Sequence, residues 1–189
     1  MIFTVDIGNS SINAGIYKPD GALALSFKLS CDQNKSSDEY AVTIKNILDL
    51  NAFSPDSVHH AAIASVVPQL TYVLMAAVQK LFDGVAPIVV GPGIKTSLDI
   101  KLDHPSELGA DIVANAVAAL ARYPAPLAVV DFGTATTVTV INDKKQLTDV
   151  FIFPGVGPSL SALSAAAAEL PHIALSEPKA FTGKTRRPA

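Results

Sequence analysis

One short pattern occurs twice in this 189-residue chain and constrains its fold more than any other feature. An apolar strand runs into an aspartate, one residue and a glycine follow, and small polar residues then lead into a second strand. The first copy runs from Val5 to Ser11 and the second from Val130 to Thr136. Taken singly, such a segment is typical of a β-hairpin with a polar turn, because Asp, Gly, Asn and Ser all favour turns.

The presence of two copies favours a different use of the turns. A carboxylate at a strand end can hold a cation, and backbone N–H and hydroxyl groups after a glycine can bind phosphate oxygens. If the two turns face one another, Asp6 and Asp131 lie on either side of one cleft with donors around them. We therefore predict a metal–phosphate site arranged for phosphoryl transfer.

The sequence between the two copies predicts an α/β fold. After the opening hairpin we expect strands at about 23–29, 61–67 and 88–90, with helices at about 38–50 and 70–81. A near-continuous apolar strand such as 61–67 is typical of a sheet that is covered on both faces. The order strand, helix, strand predicts a βαβ unit.

A further helix is predicted to begin at Asp103-His104-Pro105, where a possible N-cap precedes a first-turn proline. On this helix Glu107, Asp111 and Asn115 would lie at four-residue steps on one polar face. Periodicity alone leaves open whether that face is a solvated surface or part of a site.

The proline-rich segment Tyr123-Pro124-Ala125-Pro126 ends the predicted helix and is the best candidate for a domain boundary. The sequence thus predicts a first domain at residues 1–122 and the start of a second at 123–189.

Composition restricts the functional classes. With 49% hydrophobic and 16% charged residues, the chain is expected to fold, and a net charge of −3 disfavours nucleic acid as a partner. The single cysteine, Cys31, excludes a disulfide framework and a cysteine-based zinc site. No apolar run is long enough to span a bilayer and the N-terminus lacks a secretory signal pattern. We expect a cytoplasmic protein without a membrane partner.

Six segments, in this order along the chain, resemble type III pantothenate kinases, which belong to the actin, hexokinase and Hsp70 superfamily of phosphotransferases. The resemblance implies two ribonuclease H-like (actin-like ATPase) domains around a central cleft. It also implies that the second domain is incomplete at residue 189, by truncation or a shift of reading frame, because family members continue further. The segments are Asp6–Ser10, Ser65–Pro68, Val90–Thr96, Gly109–Asp111 with Asn115–Ala119, Val130–Thr137 and Pro154-Gly155.

The resemblance implies ATP-dependent phosphorylation of pantothenate to 4'-phosphopantothenate, the first step of coenzyme A biosynthesis. The enzyme would be a homodimer that uses Mg²⁺ and a monovalent cation, potassium or ammonium. Asp111 would be the catalytic base, Asp131 would bind the monovalent cation and Thr134 would contact ATP. Substrate would bind at Gly109, Ala110, Asp111 and Ile112. The ATP-binding turn would comprise Asp6, Ile7, Gly8, Asn9, Ser10, Ser11, Ile12 and Asn13.

Several positions depart from the family pattern, and they cluster on the substrate side. Ile112 replaces an arginine that helps to hold pantothenate, and Leu102 replaces a tyrosine of the substrate pocket. Asp149-Val150 stands where a Gly-Gly pair is usual. Arg186 follows Gly183-Lys184-Thr185 at the place of a substrate-contacting threonine.

These departures leave three hypotheses open. The chain is a working pantothenate kinase, or a relative that binds nucleotide or a protein partner without turnover. The third hypothesis is a kinase for another small alcohol, because Leu102 and Ile112 make the pocket less polar.

Overall fold

A computed structural model of the chain describes residues 1–91, 94–167 and 175. Strands and helices alternate over most of this length, as the sequence predicted. The strands are β1 (Ile2–Ile7), β2 (Ser11–Tyr17), β3 (Leu23–Ser30), β4 (His60–Ser65), β5 (Ile88–Val89), β6 (Asp99–Ile100), β7 (Leu127–Phe132), β8 (Ala135–Ile141) and β9 (Gln146–Pro154). The helices are α1 (Ser37–Leu50), α2 (Pro68–Leu81), α3 (Ala110–Arg122) and α4 (Val156–Ala166), with short 3-10 turns at Pro55–Ser57 and Pro105–Glu107.

The first sheet has the strand order β3-β2-β1-β4-β5. β1 pairs antiparallel with β2 and parallel with β4, so the opening hairpin is joined to a βαβ unit in one mixed sheet. The hairpin register places Asp6 opposite Asn13 and Ile7 opposite Ile12. This arrangement confirms the predicted α/β fold.

The pleat of β1 separates core residues from site residues. Phe3, Val5 and Ile7 are buried on one face of the sheet, in the same cluster as apolar residues of α1 and α2. Since successive side chains of a strand point to opposite faces, Thr4 and Asp6 project from the other face. Packing of α1, α2 and β1 therefore fixes the direction of the Asp6 side chain.

Helix α1 begins with a reciprocal cap. Ser36 Oγ accepts a hydrogen bond from the Glu39 backbone N–H at 3.3 Å, and Glu39 Oε2 accepts one from the Ser36 N–H at 2.8 Å. The hydrogen bond from the Ser36 N–H, and after it one of 2.8 Å that the Ser36 hydroxyl donates to Glu39 Oε2, lower the pKa of the Glu39 carboxyl.

Replacing Ser36 by alanine is expected to lower the free energy of unfolding by about 1 kcal/mol, because the N–H of Glu39 loses its acceptor. Urea unfolding followed by circular dichroism measures the change. Ser37→Ala is the matched control, since the Ser37 hydroxyl takes no part in the cap. An equal loss of stability in both variants would contradict the assignment.

A second sheet has the order β6-β9-β8-β7. β6 pairs parallel with β9, and Gln146 Nε2 donates a 2.8 Å hydrogen bond to Asp99 Oδ2 across that pair. This bond, with a second from Lys101, lowers the pKa of the Asp99 carboxyl. Sequence patterns did not predict β6 or β9, because β6 has only two residues and β9 has no apolar–polar alternation in its second half.

The helix predicted to start at Asp103 begins later than expected. Pro105–Glu107 form a 3-10 turn, Leu108 and Gly109 are extended, and α3 starts at Ala110. The prediction that Glu107 shares a helical face with Asp111 and Asn115 is therefore wrong. The proline starts a helical turn, but the extended backbone of the two residues after Glu107 ends it.

The chain separates into two compact units. Residues 1–129 with 139–149 form one unit, and residues 130–138 with the chain from 150 onward form the other. The domain boundary after residue 122 stays a prediction. Within the described residues, no helix is long and apolar enough to cross a membrane.

Candidate active site

Asp111 lies in the first turn of α3, where the backbone N–H groups have no partner within the helix. Its Oδ1 atom accepts a hydrogen bond of 2.8 Å from the backbone N–H of Ile112. The side chain is partly buried, so the carboxylate is both held by the helix terminus and open to a ligand. A negative charge at this end of a helix is also favoured by the helix dipole.

Gly109 precedes α3 as its N-cap and makes room for that carboxylate. A Cβ atom added at this position would overlap Asp111 Oδ1 and would lie 3.6 Å from Val66 Cγ1. The φ of Gly109 is −62°, which any residue can adopt, so the glycine matters here for the space it leaves and not for its backbone conformation. With a larger residue in place of Gly109, the Asp111 carboxylate would have to move from its observed position.

The first turn lies between β1 and β2. The Gly8 N–H donates to the Ser11 carbonyl at 3.0 Å and closes the turn, and Asn13 Nδ2 donates to Asp6 Oδ2 at 3.2 Å. Asn9 and Ser10 are exposed at its tip. Donors and a carboxylate thus lie together at this turn, and its binding of ATP stays a prediction.

Two of the residues predicted to bind ATP have side chains that face elsewhere. Ile7 and Ile12 are fully buried in the core of the first unit. Only their backbone groups are left to contact a ligand, and the Ile7 carbonyl already accepts a 3.0 Å hydrogen bond from Val66 N–H. The side chains of Ile7 and Ile12 therefore hold the turn by packing in the core.

The second turn joins β7 and β8 and is one residue tighter than the first. The Gly133 N–H donates to the Ala135 carbonyl at 3.0 Å, and the Thr134 carbonyl accepts from Gly155 N–H at 3.0 Å. Gly155 is the N-cap of α4, so the start of that helix lies directly against the turn. The residues Asp131, Gly133 and Thr134 thus form one local structure with the Pro154-Gly155 segment.

Replacing Gly155 by alanine is expected to lower the free energy of unfolding by about 1–3 kcal/mol, because the new methyl group would overlap backbone oxygens of the second turn. Thr134 O would lie 2.5 Å from the added carbon. Thermal unfolding measures the loss. Gly157→Ala is the control, since a Cβ there meets nothing within 4 Å and improves helix propensity. Equal destabilisation by both changes would refute the steric explanation.

A cavity of about 290 Å³ lies beside the N-terminus of α3. Ala110 and Val113 form part of its wall, and Thr96 and Ser106 supply its polar side chains. No charged side chain of the described residues lines it. Ile112, next to Asp111, is only 6% exposed and offers no polar group from its side chain.

A second cavity, of about 370 Å³, lies on the sheet face that carries Asp6 and Asn13. Small residues such as Gly15 and Ala64 leave space there, and Ala114 of α3 forms part of its wall. In the first unit, α3 and the first turn thus border space on the same side of the sheet. Among sequence-predicted positions, Arg186 lies outside the described residues.

The residues that could hold a cation are dispersed. No group of three or more His, Cys, Asp or Glu side chains is clustered for a metal within the described ranges 1–91 and 94–167. Asp6 and Asp131 each lie at the end of a strand next to a turn. One carboxylate together with phosphate oxygens is the usual setting of Mg²⁺ in kinases, so this donor set fits a nucleotide-bound ion.

The mixed sheet with its helices has the ribonuclease H-like, actin-like ATPase fold. A family model described as type III pantothenate kinase matches residues 2–189, so the chain belongs to that family. It is 42% identical to a type III pantothenate kinase of an Exiguobacterium species over 97% of this chain and 72% of that protein. The corresponding enzyme of Bacillus cytotoxicus is 40% identical over 97% of this chain and 70% of its own length.

Solved structures agree on the fold. A Campylobacter jejuni protein described as a Baf family transcriptional activator matches with a TM-score of 0.53 and 23% identity, over 97% of this chain and 69% of its own. The activator of 2-hydroxyisocaproyl-CoA dehydratase from Clostridium difficile, solved with ADPNP, matches with a TM-score of 0.54 and 11% identity, over 87% of this chain and 51% of its own. A 2-dehydro-3-deoxygalactonokinase from Sinorhizobium meliloti matches with a TM-score of 0.52 and 17% identity, over 89% of this chain and 60% of its own. At these identities the likeness supports the fold alone.

Proposed function

We infer that this chain phosphorylates pantothenate with ATP, the first step of coenzyme A biosynthesis, and that Asp111 is its general base. Family membership supports the reaction. The observation that supports the base is the position of the Asp111 carboxylate, which accepts the Ile112 N–H next to Gly109; the neighbouring residue Ala110 lines a cavity.

Asp111 serves the reaction by accepting a proton. As the substrate hydroxyl oxygen bonds to the γ-phosphorus of ATP, its proton passes to the carboxylate and ADP leaves. The hydrogen bond to Ile112 N–H holds one carboxylate oxygen in place. Such positioning is the main contribution that a protein makes to phosphoryl transfer, together with electrostatic stabilisation.

The first turn is proposed to bind the ATP phosphates. Asn9 and Ser10 are exposed at its tip and can present N–H and hydroxyl groups to phosphate oxygens. Asp6, held by Asn13, is proposed to lie next to a Mg²⁺ ion that arrives with the nucleotide. The ion would neutralise charge on the phosphates during transfer.

The second turn is proposed to bind the potassium or ammonium ion through Asp131 and to contact ATP through Thr134. Asp131 precedes Gly133 by two residues and Thr134 follows it directly, and the N–H of Gly155 donates a hydrogen bond to the Thr134 carbonyl of this turn. A carboxylate with neighbouring carbonyl oxygens is a donor set that suits such hard cations. That the two turns face each other across a cleft stays a prediction.

The cavity beside α3 is proposed to receive the pantothenate chain, and of the four predicted substrate-binding residues Gly109 to Ile112 only Ala110 lines it. Because the described residues supply no charged side chain to its lining, we expect weak binding of the carboxylate of pantothenate. A lost hydrogen bond to a charged group costs about 1.5–3 kcal/mol, which corresponds to roughly a tenfold to hundredfold higher KM. Leu102 and Ile112 are the positions at which this loss was expected.

A cytoplasmic homodimer is proposed for the working enzyme. Phe132 and Ile152 of the second unit are 73% and 68% exposed, and large exposed apolar groups often mark a surface for another chain. Sedimentation equilibrium tests this part of the proposal, and a monomer at every concentration would remove it.

A coupled assay for ADP release, with pantothenate, Mg²⁺ and potassium, tests the proposed activity. Mass spectrometry of the product should show 4'-phosphopantothenate. ADP release that requires a different alcohol would favour the other-substrate hypothesis. If calorimetry shows ATP binding and no product forms, the hypothesis that this chain binds nucleotide without turnover would be favoured.

A further inference from the structure

Val66 lies immediately after β4 and is tied to the first turn through its backbone. Its N–H donates a 3.0 Å hydrogen bond to the carbonyl of Ile7, the last residue of β1. Gly8, which opens the turn, follows Ile7 directly. The end of β4 therefore holds the point at which the chain enters the proposed phosphate-binding turn.

The side chain of Val66 lies beside the proposed base. The Cβ position of Gly109 is 3.6 Å from Val66 Cγ1 and 3.5 Å from Asp111 Cγ. The methyl group of Val66 and the carboxylate of Asp111 thus border the same space above Gly109. A carboxylate cannot turn into space that a neighbouring methyl group fills.

Hydrogen bonds on the far side of Val66 keep this segment in one conformation. Ser65 Oγ accepts from the Val67 N–H at 3.1 Å and donates to the Val67 carbonyl at 3.1 Å. Thr71 Oγ1 of α2 donates to the same carbonyl at 3.2 Å. Val66 is therefore held between the end of a strand and the first turn of a helix.

We propose that Val66 is a positioning residue that sets the Asp111 carboxylate in place relative to the first turn. The inference rests on the proposed role of Asp111 as base. Val66 makes both links through different parts of one residue: its backbone N–H bonds to Ile7, and one methyl group of its side chain lies 3.6 Å from the Cβ position of Gly109 that Asp111 Oδ1 overlaps. Nothing in this role requires Val66 to touch a substrate.

Val66→Ala tests the proposal because it removes the methyl groups and leaves the backbone hydrogen bond in place. A misplacement of about 1 Å can cost on the order of 10²-fold in rate, so kcat should fall by about 10- to 100-fold with little change in the KM for ATP. Val66→Ile keeps both γ-carbons, so its kcat should be close to that of the wild-type protein.

Val67→Ala is the matched control. Val67 is more deeply buried than Val66, at 5% exposure, and belongs to the hydrophobic core. Val67→Ala should therefore lower the free energy of unfolding more than Val66→Ala does, and should lower kcat less. An equal fall in kcat for Val66→Ala and Val67→Ala, or no fall in either, would overturn the proposal and leave Val66 an ordinary packing residue.

A second readout does not depend on turnover. The Ile112 N–H is bonded to Asp111 Oδ1, so a displaced carboxylate should speed its hydrogen exchange, measured by NMR, in Val66→Ala but not in Val67→Ala. Unchanged exchange of Ile112 in Val66→Ala would refute the positioning role. If Asp111→Asn keeps full activity while Val66→Ala still speeds hydrogen exchange of the Ile112 N–H, Asp111 is not the base. The proposal that Val66 positions the Asp111 side chain would then still stand.

Discussion

Asp111→Asn is expected to lower kcat for phosphopantothenate formation by about 10²- to 10⁴-fold, the usual contribution of a general base. Asparagine has nearly the same shape, and its side-chain oxygen can still accept the Ile112 N–H. It cannot take a proton from the attacking hydroxyl at neutral pH. The fall should therefore appear in kcat, with ATP affinity by calorimetry close to that of the unchanged chain.

Glu107→Gln is the matched control for this prediction. It removes an acidic group four residues before the base, at a position that sequence periodicity placed on the same helical face. The structure places Glu107 in the 3-10 turn before α3 and exposes it, so kcat should not change. An Asp111→Asn variant with unchanged kcat would exclude Asp111 as the base, and a large loss in Glu107→Gln would favour the sequence-predicted face.

Gly109→Ala is expected to lower kcat on the order of 10²-fold, although the change adds one methyl group and no charge. That methyl group would occupy the position of Asp111 Oδ1, so either the carboxylate or the start of α3 must move. Steady-state kinetics with pantothenate measures the effect. The hydrogen bond from Ile112 should be lost at the same time, which faster exchange of its N–H would report.

A double-mutant cycle separates this explanation from a general loss of stability. When Asp111 is already alanine, the overlap with its carboxylate is gone, and the next atom recorded near an added methyl group at Gly109 is Val66 Cγ1 at 3.6 Å, which is ordinary contact. The destabilisation caused by Gly109→Ala should therefore be much smaller in the Asp111→Ala background. Additive free energies of unfolding would show that Gly109 is required for a reason other than the carboxylate.

Much of the fold follows from local sequence. The Ser36–Glu39 capping pair predicted the start of α1, and it is observed. The apolar segment 61–67 predicted β4, which is observed at His60–Ser65 and pairs parallel with β1. These predictions succeeded because capping and strand burial depend on neighbours in the sequence and on hydrophobic pattern, both of which can be read without the fold.

The start of α3 could not be predicted in the same way. The Asp-His-Pro signal before it is a common helix start, but here it begins only a 3-10 turn. The helix begins five residues after Pro105, at Ala110, because Leu108 and Gly109 are extended. Local propensity gave no sign of this, since the atoms around the Cβ position of Gly109 come from Asp111, two residues later, and from Val66, which follows β4.

The sequence by itself determined the chemical groups of this protein: two Asp-x-Gly turns, a Gly-Ala-Asp segment and an α/β pattern that together identify the family. Tertiary structure decided what those groups can do. It turned Ile7 and Ile12 into core residues, packed Gly155 against the second turn, and bonded Val66 to Ile7 with a methyl group 3.6 Å from the Cβ position of Gly109. The physical reason is that residue type and spacing specify donors, charges and periodicity, whereas the space around a carboxylate is set by atoms far away in the chain.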